Sequence, residues 1–161
     1  MITGYLEIPD VPGESRRAEH EDQIDIHDVS WGVSRPSSAS LGGGRTQSSA
    51  HISDFTFSKY YDASSPYLSL AVMQGKSFDE IVFYARKDSG DAHIDYLKIT
   101  MKKCVITNFS MSSTGSDAST QMIGETVSIA CEELAICYTC QEDDHSAGDE
   151  HEIEYNITAQ A

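Results

Sequence analysis

The sequence predicts a mainly β protein: a two-sheet β-barrel of about eight to ten strands. It adds one short α-helix near residues 65–74 and a long Ser/Gly loop at 34–50, in a single domain over 1–161. Three observations predict it. Short alternating or wholly apolar runs recur along the chain between polar turns. Only the stretch from Ser65 to Gly75 carries both a helix start and a helix stop. And the 33 residues ahead of the Ser/Gly loop hold too few strands to bury a core alone. They must pair with strands beyond the loop, which therefore lies inside one domain, where loops of that length tend to be functional.

Tyr5 to Ile8 reads as the first strand, and Pro9-Asp10-Val11-Pro12-Gly13 as the turn that ends it. After a charged segment from Arg16 to Asp22, Ile24 and Ile26 share one face, while Val29, Trp31 and Val33 share the other. That change of parity predicts a bulge or bend near His27-Asp28. Asp54 to Phe57 is a short run rich in aromatic and β-branched residues. Ser65 as N-cap, Pro66 at the first helical position and Gly75 just past the last turn frame the helix. Tyr67, Leu70, Ala71 and Met73 stand inside it at roughly helical spacing. Ile81 to Tyr84 is apolar on both faces and needs cover on both, the second cover being expected from another subunit.

Asp88 to Asp91 is a turn, and His93 to Met101 and Cys104 to Phe109 are two further strands. A Ser/Gly turn from Ser110 to Ser119 follows. Glu125 to Cys131 and Leu134 to Tyr138 are strand segments separated by a kink at Glu132-Glu133. Gln141 to Glu150 is an acidic loop, and His151 to Thr158 closes the chain with Ile153, Tyr155 and Ile157 on one face.

The net charge of −15, from 26 acidic against 11 basic side chains, argues against DNA, RNA or anionic membrane as a partner. Binding there rests on neutralising phosphates with Lys and Arg. The opening MITGYLEIPDVPGE lacks the basic and long apolar regions of a secretory signal, and no window approaches a membrane span. Cys137-x-x-Cys140 has the local spacing of a metal knuckle, but no second pair completes four ligands. Alternation in LAICYTC points those two side chains to opposite faces, so Cys104, Cys131, Cys137 and Cys140 read as free thiols.

The histidines and carboxylates of His20 to Asp28 and of Asp143 to Glu152 match no ligand spacing and read as solvated loops. LGGGRT, Leu41 to Thr46, lacks the first glycine and the lysine of a phosphate loop, and no helix follows it. There is no G-x-S-x-G, and Asn156-Ile157-Thr158 has the form of a glycosylation triplet without a secretory signal. The residues therefore point to no catalytic group, no metal and no cofactor.

Several stretches, taken in order, resemble the haemolysin-coregulated protein (Hcp) family, the tube protein of bacterial type VI secretion. They are Val11-Pro12-Gly13-Glu14-Ser15 with His20, then Ser30-Trp31-Gly32, then the loop glycines Gly42 to Gly44. Asp54-Phe55-Thr56-Phe57-Ser58-Lys59 with Asp62, Ser65-Pro66 with Leu68, Gly75-Lys76, Arg86-Lys87 and Tyr96-Leu97 complete the series. Each motif alone is weak; the ordered series over the first two thirds of the chain is specific. Ser110 to Ala161 fits by strand pattern more than by motif. Arg16-Arg17, the four cysteines and the acidic loop at 141–150 depart from the family pattern.

The resemblance implies a β-barrel subunit of hexameric rings that stack head-to-tail into a tube driven outward by a contractile sheath. Its partners would be further copies of itself, the sheath, spike (VgrG-like) and baseplate proteins, and small effectors carried in the ring lumen. The protein would be cytoplasmic in the producing bacterium, then secreted through the apparatus without a signal peptide. The resemblance places the ring-stacking loop at Ser40, Leu41, Gly42, Gly43, Gly44 and Arg45. It makes Gly13, Glu14, Ser15, Trp31, Gly32, Phe55, Lys59, Ser65, Pro66 and Gly75 structural motif positions. The competing expectation is a monomeric ligand- or metal-binding barrel that uses His20, His27 or His145.

Overall fold

A computed structural model describes residues 2–35, 50–89, 92–113, 122–144 and 146–158. In chain order its elements are β1 (Thr3–Glu7), β2 (Ile24–Ile26), β3 (Asp28–Ser30), β4 (Val33–Ser34), β5 (His51–Ile52) and β6 (Phe55–Tyr60). Then come α1 (Ser65–Gln74), β7 (Ser77–Ser89), β8 (Ala92–Ser113), β9 (Ile123–Gln141) and β10 (Ala147–Asn156). The main sheet runs β2-β1-β7-β8-β9-β6-β3, all antiparallel, with β10 on β9 beyond β6; β4 and β5 pair separately.

The two ends of this ladder are consecutive pieces of one run of chain. At His27 the run leaves β1 for β6: its N–H donates to the Ser58 carbonyl and its carbonyl accepts from the Ile2 N–H. The bend predicted at His27-Asp28 is thus the point where the chain passes from one end of the ladder to the other. Ile24 and Ile26 face the core and Val29 faces out, as their parity requires.

The strands are not all short. His93–Met101 and Cys104–Phe109 are parts of the single 22-residue β8, and the two segments either side of Glu132-Glu133 are parts of the 19-residue β9. The break expected between Met101 and Cys104 is a bend instead, and Glu132-Glu133 lies inside a continuous strand, as the expected kink allows. In β7 the buried residues Phe78 and Ile81 are separated by exposed Asp79 and Glu80, and in β8 Met101 and Cys104 by exposed Lys102 and Lys103. In β9, half-buried Cys131 and buried Leu134 flank exposed Glu132 and half-buried Glu133. Because three neighbouring strands shift parity together, register is kept while the sheet turns a corner. Lys103 has φ 54 there. Lys102 stands between Glu80 and Glu133, and Lys103 lies 4.0 Å from Glu132. Opposite charges directly across strands favour this alignment.

The core gathers Leu6, Ile24, Phe57, Leu68, Ile81, Phe83, Met101, Val127 and Ile129, each 1% exposed or less. Each such side chain contributes about 1.5–3 kcal/mol by leaving water. Ile81 to Tyr84 is covered on both faces as expected, but the second cover belongs to the same chain. The outer face around Tyr5 and Tyr84 lies under the segment that carries His20.

The helix spans the residues expected of it, with one correction at its start. Its N-cap is Ser64, not Ser65, and no side-chain cap bond is made there. Asp62 caps instead: its Oδ1 accepts the Ser64 N–H at 2.9 Å and its carbonyl the Ser65 N–H at 3.1 Å. The buried face is Ser65, Leu68 and Ala71, whereas Tyr67, Leu70 and Met73 are 50, 46 and 79% exposed. Gly75 ends the helix at φ 64, and the Lys76 and Gly75 N–H groups return to Ala71 and Val72.

Candidate functional site

The motif residues converge on two buried polar clusters that fix what the surface presents. The first joins β6, the start of α1 and β9. Lys59 points inward from β6 and is wholly buried. Its Nζ donates to Asp62 Oδ1 at 2.7 Å, Ser65 Oγ at 3.0 Å and the Tyr60 carbonyl at 3.2 Å, and it pairs with Glu125 Oε1. Ser65 Oγ donates to Glu125 Oε1 at 3.0 Å and accepts the Asp62 N–H at the same distance. A lysine without access to water needs this many acceptors to remain charged. The cluster therefore holds the helix start against two strands. Glu125 was missed in the sequence because a glutamate in an alternating strand reads as solvent-facing; its parity with Val127 and Ile129 was the available signal.

The second cluster ties the 9–23 segment onto the sheet. His20 is 2% exposed and stacks on Tyr5, with ring centroids 4.4 Å apart and planes 9° apart. Its Nε2 lies 2.8 Å from Asp95 Oδ1, and its Nδ1 lies 2.9 Å from Gln23 Oε1. Arg86 Nη1 donates to the Ala18 carbonyl at 3.1 Å. Gly13 is required by contact: a Cβ there would come within 2.1 Å of the Gln23 carbonyl oxygen. Its N–H donates to Asp22 and that of Ser15 to Gln23, and Ser15 is buried beside them. Glu14 is exposed. Beside this segment Asp25 has its carboxyl held above the ordinary range, by burial first and by Asp62 second.

Trp31 packs part-buried on the core, and Phe55 lies within it. Gly32 has open space around it; its N–H donates to Ser53 Oγ at 2.8 Å. Pro66 is exposed in the first turn of α1. The stacking-loop residues Ser40 to Arg45 lie outside the described residues, as does His145. The stem of that loop is described: Val33 pairs with Ile52 and Ser34 with His51. His20 and His27 do not converge, and among the described residues no three His, Cys, Asp or Glu side chains are placed to share a metal ion.

Among the described residues, three groups of exposed apolar side chains lie near these clusters, and others such as Val33 and Met111 stand apart from them. One is Tyr67, Leu70 and Met73 along α1. The second is Tyr60, Tyr61, Met122 and Ile123, where the Tyr61 N–H donates to the Ile123 carbonyl. The third lies where β9 and β10 run past the core: Tyr138 is 47% and Ile153 65% exposed on the face that carries Ile136. The expected shared face of Ile153, Tyr155 and Ile157 is buried only in part.

The model of a family described as type VI secretion system effector, Hcp, matches residues 5–139. The protein Hcp1 of Pseudomonas aeruginosa is 31% identical over 140 residues, which is 87% of this chain and 85% of that protein. A solved structure of a type six secretion system protein superposes with a TM-score of 0.90 at 20% identity, covering 100% of this chain and 99% of that one. Hcp1 from Salmonella typhimurium gives 0.79 at 23% identity, covering 99% and 97%. A type VI secretion system effector from Yersinia pestis gives 0.75 at 22%, covering 96% and 99%. The family match extends past the ordered motifs into the last third of the chain, where strand pattern alone had suggested it. The chain belongs to the Hcp family of type VI secretion system proteins.

Proposed function

We propose that this chain is the repeating subunit of a type VI secretion tube, six copies closing a ring and rings stacking head-to-tail. The observation that carries the reading is the family match over residues 5–139 on a fold that leaves Tyr67, Met73, Tyr138 and Ile153 exposed. A lone monomer gains nothing from an exposed Met73 or Ile153, whereas a second copy seated there removes both from water. The residues that the sequence singled out act as framework: Lys59 and Ser65, together with Glu125, set the helix, and Gly13, Ser15 and His20 set the covering segment. Ser40 to Arg45, rising from the β4–β5 stem, is the segment we assign to ring-to-ring contact. The protein acts without catalytic groups or cofactor, and passes from cytoplasm to exterior through the apparatus it helps to build. Sheath, spike and baseplate proteins are the partners of the finished tube, and small effectors the cargo of its lumen.

Negative-stain electron microscopy beside light scattering tests the reading. Hollow rings with six times the monomer mass are expected, and Ile153→Asp should reduce them to monomer with its melting unchanged. Leu41→Asp should leave rings intact and weaken their stacking. A monomer that persists at high concentration and across salt would overturn the assembly.

A further inference from the structure

β8 and β9 place two of the four thiols directly opposite one another. Cys104 and Cys131 are Cα partners in the antiparallel ladder, so their side chains project from the same face of the sheet. Opposed residues in such a ladder have Cα atoms about 4.5–5.5 Å apart, within the span of about 4.4–6.8 Å that a disulfide bridges. Both side chains belong to the core layer: Cys104 is fully buried and Cys131 packs part-buried against it. They sit beside the corner at Lys102-Lys103 and Glu132-Glu133, where both long strands bend. Cys131 also lines a cavity of about 100 Å³ with Trp31, Asp54, Met101 and Ile157, which gives its sulfur a side not sealed by packing. Cys137 has no such partner, since it stands opposite Lys98 on β8 and Glu152 on β10.

We propose that Cys104 and Cys131 are an oxidisable pair, free in the protein as folded and closed into a cross-strand disulfide by a low-molecular-weight disulfide. The Cys131 thiolate attacks one sulfur of the oxidant, forming a mixed disulfide and releasing one thiolate. The Cys104 thiolate then attacks the Cys131 sulfur, closing the intramolecular bond and expelling the second. The protein gives up two electrons and two protons, and the oxidant is reduced to two thiols. Burial pushes the Cys104 thiol up to about 12 and the Cys131 thiol up to about 11, so both are protonated at neutral pH and the pair reacts slowly there. The bond would pin β8 to β9 at the corner and rigidify the long strands once the protein meets an oxidising medium. The proposal needs only the folded chain and stands whether or not rings form.

The test incubates native protein with hydroxyethyl disulfide at mildly alkaline pH, alkylates the remaining thiols in denaturant and maps the peptides. A single link between the peptides of Cys104 and Cys131 is expected, with the mass of two hydrogens lost. The melting temperature should rise and return when dithiothreitol is added. The C137A/C140A variant should behave as the parent does, and C131S should lose both the link and the melting shift. Recovery of Cys104 and Cys131 as free thiols after Cys137 or Cys140 has been consumed would overturn the proposal. So would a link that joins either of those residues to the pair.

Discussion

Lys59 and Glu125 are each buried with side chains at 0% exposure and held to one another. Removing one partner of such a pair leaves an uncompensated charge and costs about 3–5 kcal/mol, whereas replacing both by apolar groups is often close to neutral. Lys59→Met should therefore lower stability by about that amount in urea unfolding, and the Lys59→Met/Glu125→Leu double variant should recover most of it. Glu125 Oε2 already lacks a partner among the described residues, which raises the cost of losing Lys59. Equal damage in single and double variants would show that the pair is not the source. The thiols give a second expectation. A thiol raised by burial is protonated in the fold and ionises earlier in the unfolded chain. Stability from Cys104 and Cys131 is therefore intact below about pH 9, then falls as pH climbs through that range toward 11 and 12. At pH 8 iodoacetamide should label Cys131 at least about a hundredfold more slowly in the native protein than in denaturant. Labelling at equal rates would show that the fold does not shield it.

At the scale of elements, sequence signals located α1 and left open which face it buries. Pro66 and Gly75 are local signals, one for the first turn and one for a left-handed residue, so they fixed both ends of the helix without knowledge of the surroundings. Which face is buried depends on what the helix meets. Ser65 is drawn inside by Lys59 and Glu125, Leu68 and Ala71 follow it, and the more apolar Tyr67, Leu70 and Met73 turn outward. The two long strands were divided for a related reason. Alternation ends at Lys102-Lys103 and at Glu132-Glu133, and a strand that bends loses its period as surely as one that stops. The Lys59–Glu125 contact joins residues 66 positions apart, so it was invisible in local pattern; Gly13 and Ser15 were visible because their partners lie nearby. Gly75→Ala should cost about 1–2 kcal/mol, since an alanine at φ 64 is strained even with open space beside it. Leu70→Ser with Met73→Ser should change melting by less than about 0.5 kcal/mol, as exposed positions do. The same pair should reduce ring mass in light scattering if the outer face of α1 is an assembly contact. A large loss of monomer stability would mean that this face packs on its own chain.

The whole molecule sets an electrostatic limit on assembly. A ring of six copies, each of net charge −15, brings together a charge of about −90. β10 carries Asp149, Glu150, Glu152 and Glu154, and strand alternation puts Glu150, Glu152 and Glu154 on the face opposite exposed Ile153, so the edge that bears this apolar area is strongly acidic. Burial of Ile153, Tyr138 and Met73 favours association and does not depend on salt in the same way, whereas repulsion among the carboxylates falls as the screening length shortens. That length is about 10 Å at 0.1 M and about 3 Å at 1 M ionic strength. Repulsion across a subunit contact is therefore largely removed over this range, and apolar burial is left to decide. Sedimentation at fixed protein concentration should show ring and stacked-ring mass rising as sodium chloride is raised from low to high. The opposite trend would locate the main contacts in ion pairs between copies, with Lys87, Lys98 or Arg16-Arg17 facing the carboxylates. Glutamine substitutions at those positions would then weaken assembly, whereas under apolar contact with screened repulsion they should leave it unchanged or make it slightly harder at low salt.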